Sequence, residues 1–243
     1  LLSSASFFAM RISSFLVALV VAVVMPLSAA PSDLPQGFGV DVTRIVIDRG
    51  HLSGSCVLTN GSDVPYAAKN TALDYFTRER RSDVIATPPV ALMPTGKQVR
   101  VTVTVLNPEV LPKDRESLFL LSSEATPGVG DQSTKNTLLI RYASRLKVFY
   151  RPEGLDANMQ DAIWGLTWTR DGQTLTVENG SPLHVTLANV SIDGKRYAEH
   201  LIVKPFERTS LTVGEHPTDA TVRWDGVDDY GGVVTGHVIP VAR

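Results

Sequence analysis

The sequence predicts an all-β protein built from two sandwich domains. Three features carry that prediction: apolar residues recur with period two, turn signals separate the runs, and 243 residues exceed a typical single domain. Val99, Val101, Val103 and Val105 alternate with Arg100, Thr102 and Thr104. Leu138, Ile140 and Tyr142 alternate with Leu139, Arg141 and Ala143, and Leu146, Val148 and Tyr150 keep that parity. Leu175 and Val177, Val185 and Leu187, and Leu211 and Val213 repeat the pattern later. Between them stand Asn60-Gly61, Pro88-Pro89, Pro94-Thr95-Gly96, Asp171-Gly172, Asn179-Gly180 and Asp193-Gly194. Asp193-Gly194, between SI and KRY, reads as a tight hairpin turn. Many short strands at such spacing argue for sandwiches.

Each element follows in order. Met10-Arg11, the apolar run Phe15–Met25 and the small residues Ser28-Ala29-Ala30 read as a secretory signal peptide over 1–30, with 1–9 upstream of a start at Met10. The run is shorter than the roughly 20 residues a membrane-spanning helix needs. PSDLPQ at 31–36 reads as a loose leader. Arg151-Pro152-Glu153-Gly154 marks a domain boundary, giving domains over 37–150 and 155–243. A short helix is expected within LDANMQDAIWGL, 155–166.

Composition excludes several function classes. A net charge of −2 gives no basic surface for nucleic acid. The single cysteine, Cys56, forbids an intramolecular disulfide, and its small and apolar neighbours make it a buried packing residue. His51, His184, His200, His216 and His237 show no i, i+2 or i, i+4 metal spacing. No GxSxG, HExxH or phosphate-loop motif occurs. The expectation is therefore no enzyme, no cofactor, no metal and no small-molecule substrate. The sequons at Asn60, Asn179 and Asn189 are expected to be turns or strand ends.

The strand over 136–151, NTLLIRYASRLKVFYR, is the longest. One parity is apolar and the other mostly basic: Arg141, Arg145, Lys147 and Arg151. Alone, that pattern describes an ordinary strand with one buried and one wet face.

Taken together, several segments resemble the periplasmic pilus-assembly chaperones of the chaperone–usher pathway. They are TRIVIDRG at 43–50, TPPVALMPTGKQVRV at 87–101, LPKDRESLFLL at 111–121, NTLLIRYASRLKVFYRPEGL at 136–155, LTWTRDGQTLTVENGSPLHVTL in the second half, and WDGVDDYGG. The resemblance implies two immunoglobulin-like β-sandwich domains in a boomerang arrangement. It implies donation of the edge strand to unfinished pilus subunits, with Leu138, Ile140 and Tyr142 as the inserted side chains. It implies Arg44 and Lys147 as the anchor of the subunit's terminal carboxylate, and Glu116, Arg151 and Asp229 as an interdomain ion network. Partners would be pilus subunits and an outer-membrane usher. Location would be the periplasm, and the apolar edge would be open to self-association in the free protein. The short stretch 125–135, without flanking cysteines, resembles the pilus branch.

The sequence departs from the family pattern where Pro65-Tyr66 leads into AAKNTAL without a tryptophan, where Leu120 replaces an aromatic, and in the charged segment DYFTRERRSD. Two other readings compete. A surface-fibre component should carry an alternating apolar extension, which the proline-broken PSDLPQG lacks. An exported enzyme on the same scaffold should carry a catalytic cluster, and none is recognisable.

Overall fold

Alternation builds the first core. In β7 (Gln98–Val105) Val101, Val103 and Val105 are buried, while Arg100, Thr102 and Thr104 stay partly or fully exposed. Full burial of each such side chain contributes about 1.5–3 kcal/mol. The structure, a computed structural model, describes residues 37–128, 140–217 and 219–240. The expected signal peptide over 1–30 and the start of the 136–151 strand, including Leu138, lie outside the described residues.

The first sandwich has β1 (Phe38–Val40), β2 (Arg44–Ile47), β3 (Ser53–Asn60), β4 (Tyr66–Asp74), β5 (Val84–Thr87), β6 (Val90–Met93), β7, β8 (Ser117–Pro127) and β9 (Tyr142–Tyr150). One sheet runs β1-β3-β7-β5 and the other β2-β9-β8-β4-β6. Their facing sides enclose Leu58, Met93, Val103, Phe119, Leu121 and Val148. The first described strands are split between the sheets: β1 pairs with β3, and the chain then crosses so that β2 pairs with β9. β8 runs on to Pro127, into the short stretch 125–135, because its pairing with β4 continues to Tyr66. β9 covers the later part of the expected 136–151 strand, and Ile140 precedes it outside regular structure.

The second sandwich has β10 (Thr167–Asp171), β11 (Thr174–Glu178), β12 (Val185–Ile192), β13 (Lys195–Ala198), β14 (Leu201–Val203), β15 (Arg208–Thr212), β16 (Thr221–Val227), β17 (Val233–Thr235) and β18 (Ile239–Pro240). A sheet β10-β11-β15 packs against β13-β12-β16-β17, to which β14 and β18 add at β12 and β16. Trp168 and Trp224, with ring centroids 5.5 Å apart, fill the core with Leu175, Leu187 and Val222. Asp193 and Gly194 have φ of 46° and 82°, the left-handed pair that a two-residue hairpin turn requires. The expected helix is only α1 (Met159–Trp164). Asn158 caps it by accepting the N–H groups of Gln160 and Asp161, and Gly165 ends it, so residues 155–158 lie before its first turn.

Each sandwich closes a turn in the same way. Asn60 Nδ2 donates to the carbonyls of Val64 and Met93 at 2.8 and 2.9 Å, and its Oδ1 accepts from Ser62 N–H and Oγ. Asn179 Nδ2 donates to Leu183, Val203 and Lys204 carbonyls, and its Oδ1 accepts from Ser181 N–H and Oγ. Both asparagines are buried. The third sequon differs from the expectation: Asn189 lies inside β12, at a break in its register with β16. Cys56 is buried in the first core.

Candidate functional site

β2 runs parallel to the last four residues of β9, placing Arg44 opposite Lys147 and Ile47 opposite Tyr150. Arg151 N–H donates to Ile47 carbonyl. By the period of two, the backbone groups of Ala143 and Arg145 point to that same side. β2 does not reach them, so among the described residues this stretch of β9 has a neighbour, β8, on one side only. The split of the first strand between two sheets is what leaves the edge open.

The outer face of this sheet is read from its register. Leu73, Leu120, Lys147 and Arg44 form one row across β4, β8, β9 and β2. Leu118 and Phe149 form the next row, and Leu118, Leu120 and Phe149 are buried although none belongs to the sandwich core. Arg44 stacks 5.5 Å over the Phe149 ring and donates from Nη1 to Val227 carbonyl of the second domain at 3.2 Å. Its buried Nε has no partner among the described residues. Burial pushes the Arg44 guanidinium down from its ordinary range, while Asp229, Asp228 and Glu116 act to hold it up. Burial, then the charges of Arg44 and Arg78, push the Lys147 ammonium down.

Between the domains, Arg151 Nε donates to Glu116 Oε2 at 2.8 Å, and Nη1 and Nη2 fork onto Asp229 at 2.8 and 2.6 Å. Burial works against the Arg151 charge, but the bonds to Asp229 and the charge of Glu116 outweigh it and hold the guanidinium above its ordinary value. Glu116 also accepts the N–H of His184 at 2.9 Å and faces its Nδ1 at 3.1 Å. Asp228 accepts the N–H groups of Tyr230 and Gly232, closing the DDYGG turn so that Gly231, at φ 90°, abuts Thr43. Two cation–π contacts cross the junction in opposite directions. Lys204 lies 4.4 Å over Phe76, and Arg115 lies 5.0 Å over Phe206.

The structure thus brings Arg44 beside Lys147, and Glu116, Arg151 and Asp229 into one network. Ile140 is half exposed ahead of β9. Tyr142 departs from the expectation of a projecting side chain. Its ring packs on its own domain, 6.3 Å from Phe38 and 5.8 Å from Tyr66, because β9 begins there with the core-facing parity. Sequence reasoning missed His184, Phe149 and Phe76. Phe149 carried a signal, as the one aromatic among the basic residues of its parity; His184 and Phe76 carried none, since their partners lie in the other domain.

Residues 37–156 match the model of the pili and flagellar-assembly chaperone, PapD N-terminal domain, and residues 161–238 match that of the pili assembly chaperone PapD, C-terminal domain. The chain belongs to this family of pilus-assembly chaperones. Among curated relatives, it is 30% identical to the Uncharacterized fimbrial chaperone YcbF of Escherichia coli K12, over 89% of this chain and 93% of that protein. It is 28% identical to the Probable fimbrial chaperone protein ElfD of the same strain, over 86% and 89%. A solved chain from the complex of Salmonella enterica SafA pilin with the SafB chaperone superposes with a TM-score of 0.75 at 20% identity, covering 85% of this chain and 96% of that one. The fold, two immunoglobulin-like sandwiches, is the fold of that chain. The protein is a fimbrial chaperone rather than a fibre component.

Proposed function

We propose that the protein works in the periplasm after export by a cleaved signal peptide. There it holds pilus subunits by lending them an edge strand, and it passes them to an outer-membrane usher. One observation carries this reading: among the described residues, the edge of β9 at Ala143 and Arg145 is open and Arg44, two positions along that edge opposite Lys147, has a buried Nε without a partner. The open edge supplies ladder hydrogen bonds to an incoming strand. Leu138, Ile140 and Tyr142 supply the alternate side chains, with Tyr142 turning out of its own aromatic cluster to reach a subunit.

Arg44 and Lys147 hold the subunit's terminal carboxylate. A buried donor left unpaired is costly, and a carboxylate oxygen satisfies it with a charge-assisted bond. Fixing that end fixes the register, since a slip of one residue turns every side chain to the wrong face. The network of Glu116, Arg151 and Asp229 keeps the two domains at the angle that forms the cleft. The cycle involves neither catalysis nor cofactor. In the free protein the same edge is open to a second copy.

The test is co-purification from periplasm of the tagged chain expressed with a pilin-like subunit, as wild type, Arg44→Ala and Lys147→Ala. Loss of one partner of a buried charge contact costs about 2–5 kcal/mol. Stoichiometric capture by the wild type and none by the folded variants supports the anchor. Undiminished capture by either variant removes it.

A further inference from the structure

The charged segment after β4 plays no part in the reading above, yet it is built with care. Asp74 Oδ1 accepts the N–H groups of Phe76 and Thr77 at 2.8 and 2.9 Å, and its carbonyl accepts Arg78 N–H at 3.1 Å. Arg81 forks onto Asp83 at 2.7 and 2.6 Å and reaches Asp74 at 3.5 Å. Phe76 docks on the second domain, under Lys204 and 6.1 Å from the His184 ring. The turn is therefore fixed at both ends and at its tip. It holds Arg78 in the left-handed region, φ 65°, with its guanidinium 4.7 Å over the Tyr75 ring and no hydrogen-bond or ion-pair partner among the described residues.

Tyr75 lies two positions past Leu73, the first residue of the row that ends in Lys147 and Arg44. The charge of Arg78 is felt at Lys147. Asp229, Asp228 and Glu116 offset the Arg44 charge, whereas the charges that act on Lys147, those of Arg44 and Arg78, are both positive. Arg78 is thus a cation near the cleft beyond the two proposed to hold the terminal carboxylate. A guanidinium stacked on an aromatic face keeps its in-plane N–H fork outward, a shape that takes a carboxylate in bidentate fashion.

The geometry points to the Tyr75–Arg78 stack as a second reading element of the cleft, selecting subunits that carry an Asp or Glu side chain among their last residues while Arg44 and Lys147 hold the chain end. This rests on the cleft anchor proposed above.

The test uses the full chain and short synthetic peptides of alternating valine and serine. The peptides end in a free carboxylate or an amide, with Glu or Gln placed at each of the last four positions in turn. Wild type should bind one Glu peptide about fivefold more tightly than its Gln twin, the size of a well-oriented surface pair. That preference should fall with salt, vanish in Arg78→Ala and pass to a Lys peptide in Arg78→Glu. The preference for a free carboxylate over the amide should survive both changes. If that survives but no position discriminates Glu from Gln, or Arg78→Ala leaves the discrimination intact, this inference is overturned and the anchor stands. If the amide binds as well as the carboxylate in wild type, the anchor falls and this inference with it.

Discussion

Glu116 and His184 meet across the domain junction through a single carboxylate oxygen: Glu116 Oε1 accepts the His184 backbone N–H at 2.9 Å and faces its ring Nδ1 at 3.1 Å. The other oxygen takes Arg151. Glu116 is buried, so water cannot replace these partners if they are lost.

Glu116→Ala leaves Arg151 and the His184 N–H with buried, unmet demands. Breaking a buried pair costs about 3–5 kcal/mol. In a chain of this size that is a fall in Tm of roughly 6–20 °C. Scanning calorimetry should also show the two domains unfolding as separate transitions. An unchanged Tm removes the junction role from Glu116.

Gly231→Ala tests the fit of the DDYGG turn against the first domain. Its φ of 90° disfavours any Cβ, and that Cβ would collide with Thr43 Oγ1. Thr43→Ala removes the colliding oxygen and leaves Thr43 Cβ at ordinary contact distance, 3.4 Å. The double variant should recover the steric part of the loss and keep the left-handed backbone cost, about 1–2 kcal/mol. Simple additivity in a double-mutant cycle would show that the two residues do not press on one another.

Acid should loosen the turn over 75–81. Burial acts to raise the Asp74 carboxyl, but the N–H groups of Thr77 and Phe76 and the charge of Arg81 outweigh it and lower it; the bond from Arg81 likewise lowers Asp83. Groups whose folded pKa is depressed contribute stability that is present above the unfolded value, about 3.9, and lost as pH falls through the folded value. The amide resonances of Phe76 and Thr77 should therefore hold from pH 7 down to about 4 and shift only below it. A transition near pH 6 would mean that another group governs the turn.

Cys56 should be inert. Burial, then the Asp41 charge, pushes its thiol up to about 11, and the side chain lies in the core. Iodoacetamide at pH 8 should label it only after denaturation. Rapid labelling of the native protein would mean that the β3–β7 region opens readily.

Much of the fold was legible in the sequence because one-sided burial writes itself as period two. Val101, Val103, Val105, Leu146, Val148 and Tyr150 all face the core that their parity implies. The residues Arg44, Lys147, Glu116, Arg151 and Asp229 were legible through motif resemblance, not through spacing, since contacts such as Arg151 to Asp229, 78 positions apart, leave no local pattern. Leu118, Leu120 and Phe149 show the limit of alternation. They break it because the outer face of this sheet is buried too: Phe149 lies under Arg44 and 6.5 Å from the His184 ring of the second domain. Tyr142 has the expected parity but a different fate, decided by Phe38 and Tyr66 on distant strands.

The twin asparagine turns, Asn60-Gly61-Ser62 and Asn179-Gly180-Ser181, make the chain its own control. Each sandwich carries one copy of the same clasp. Replacing one asparagine by alanine unfastens one turn and leaves the other, in the same molecule and the same solution, with its hydrogen bonds as an internal comparison.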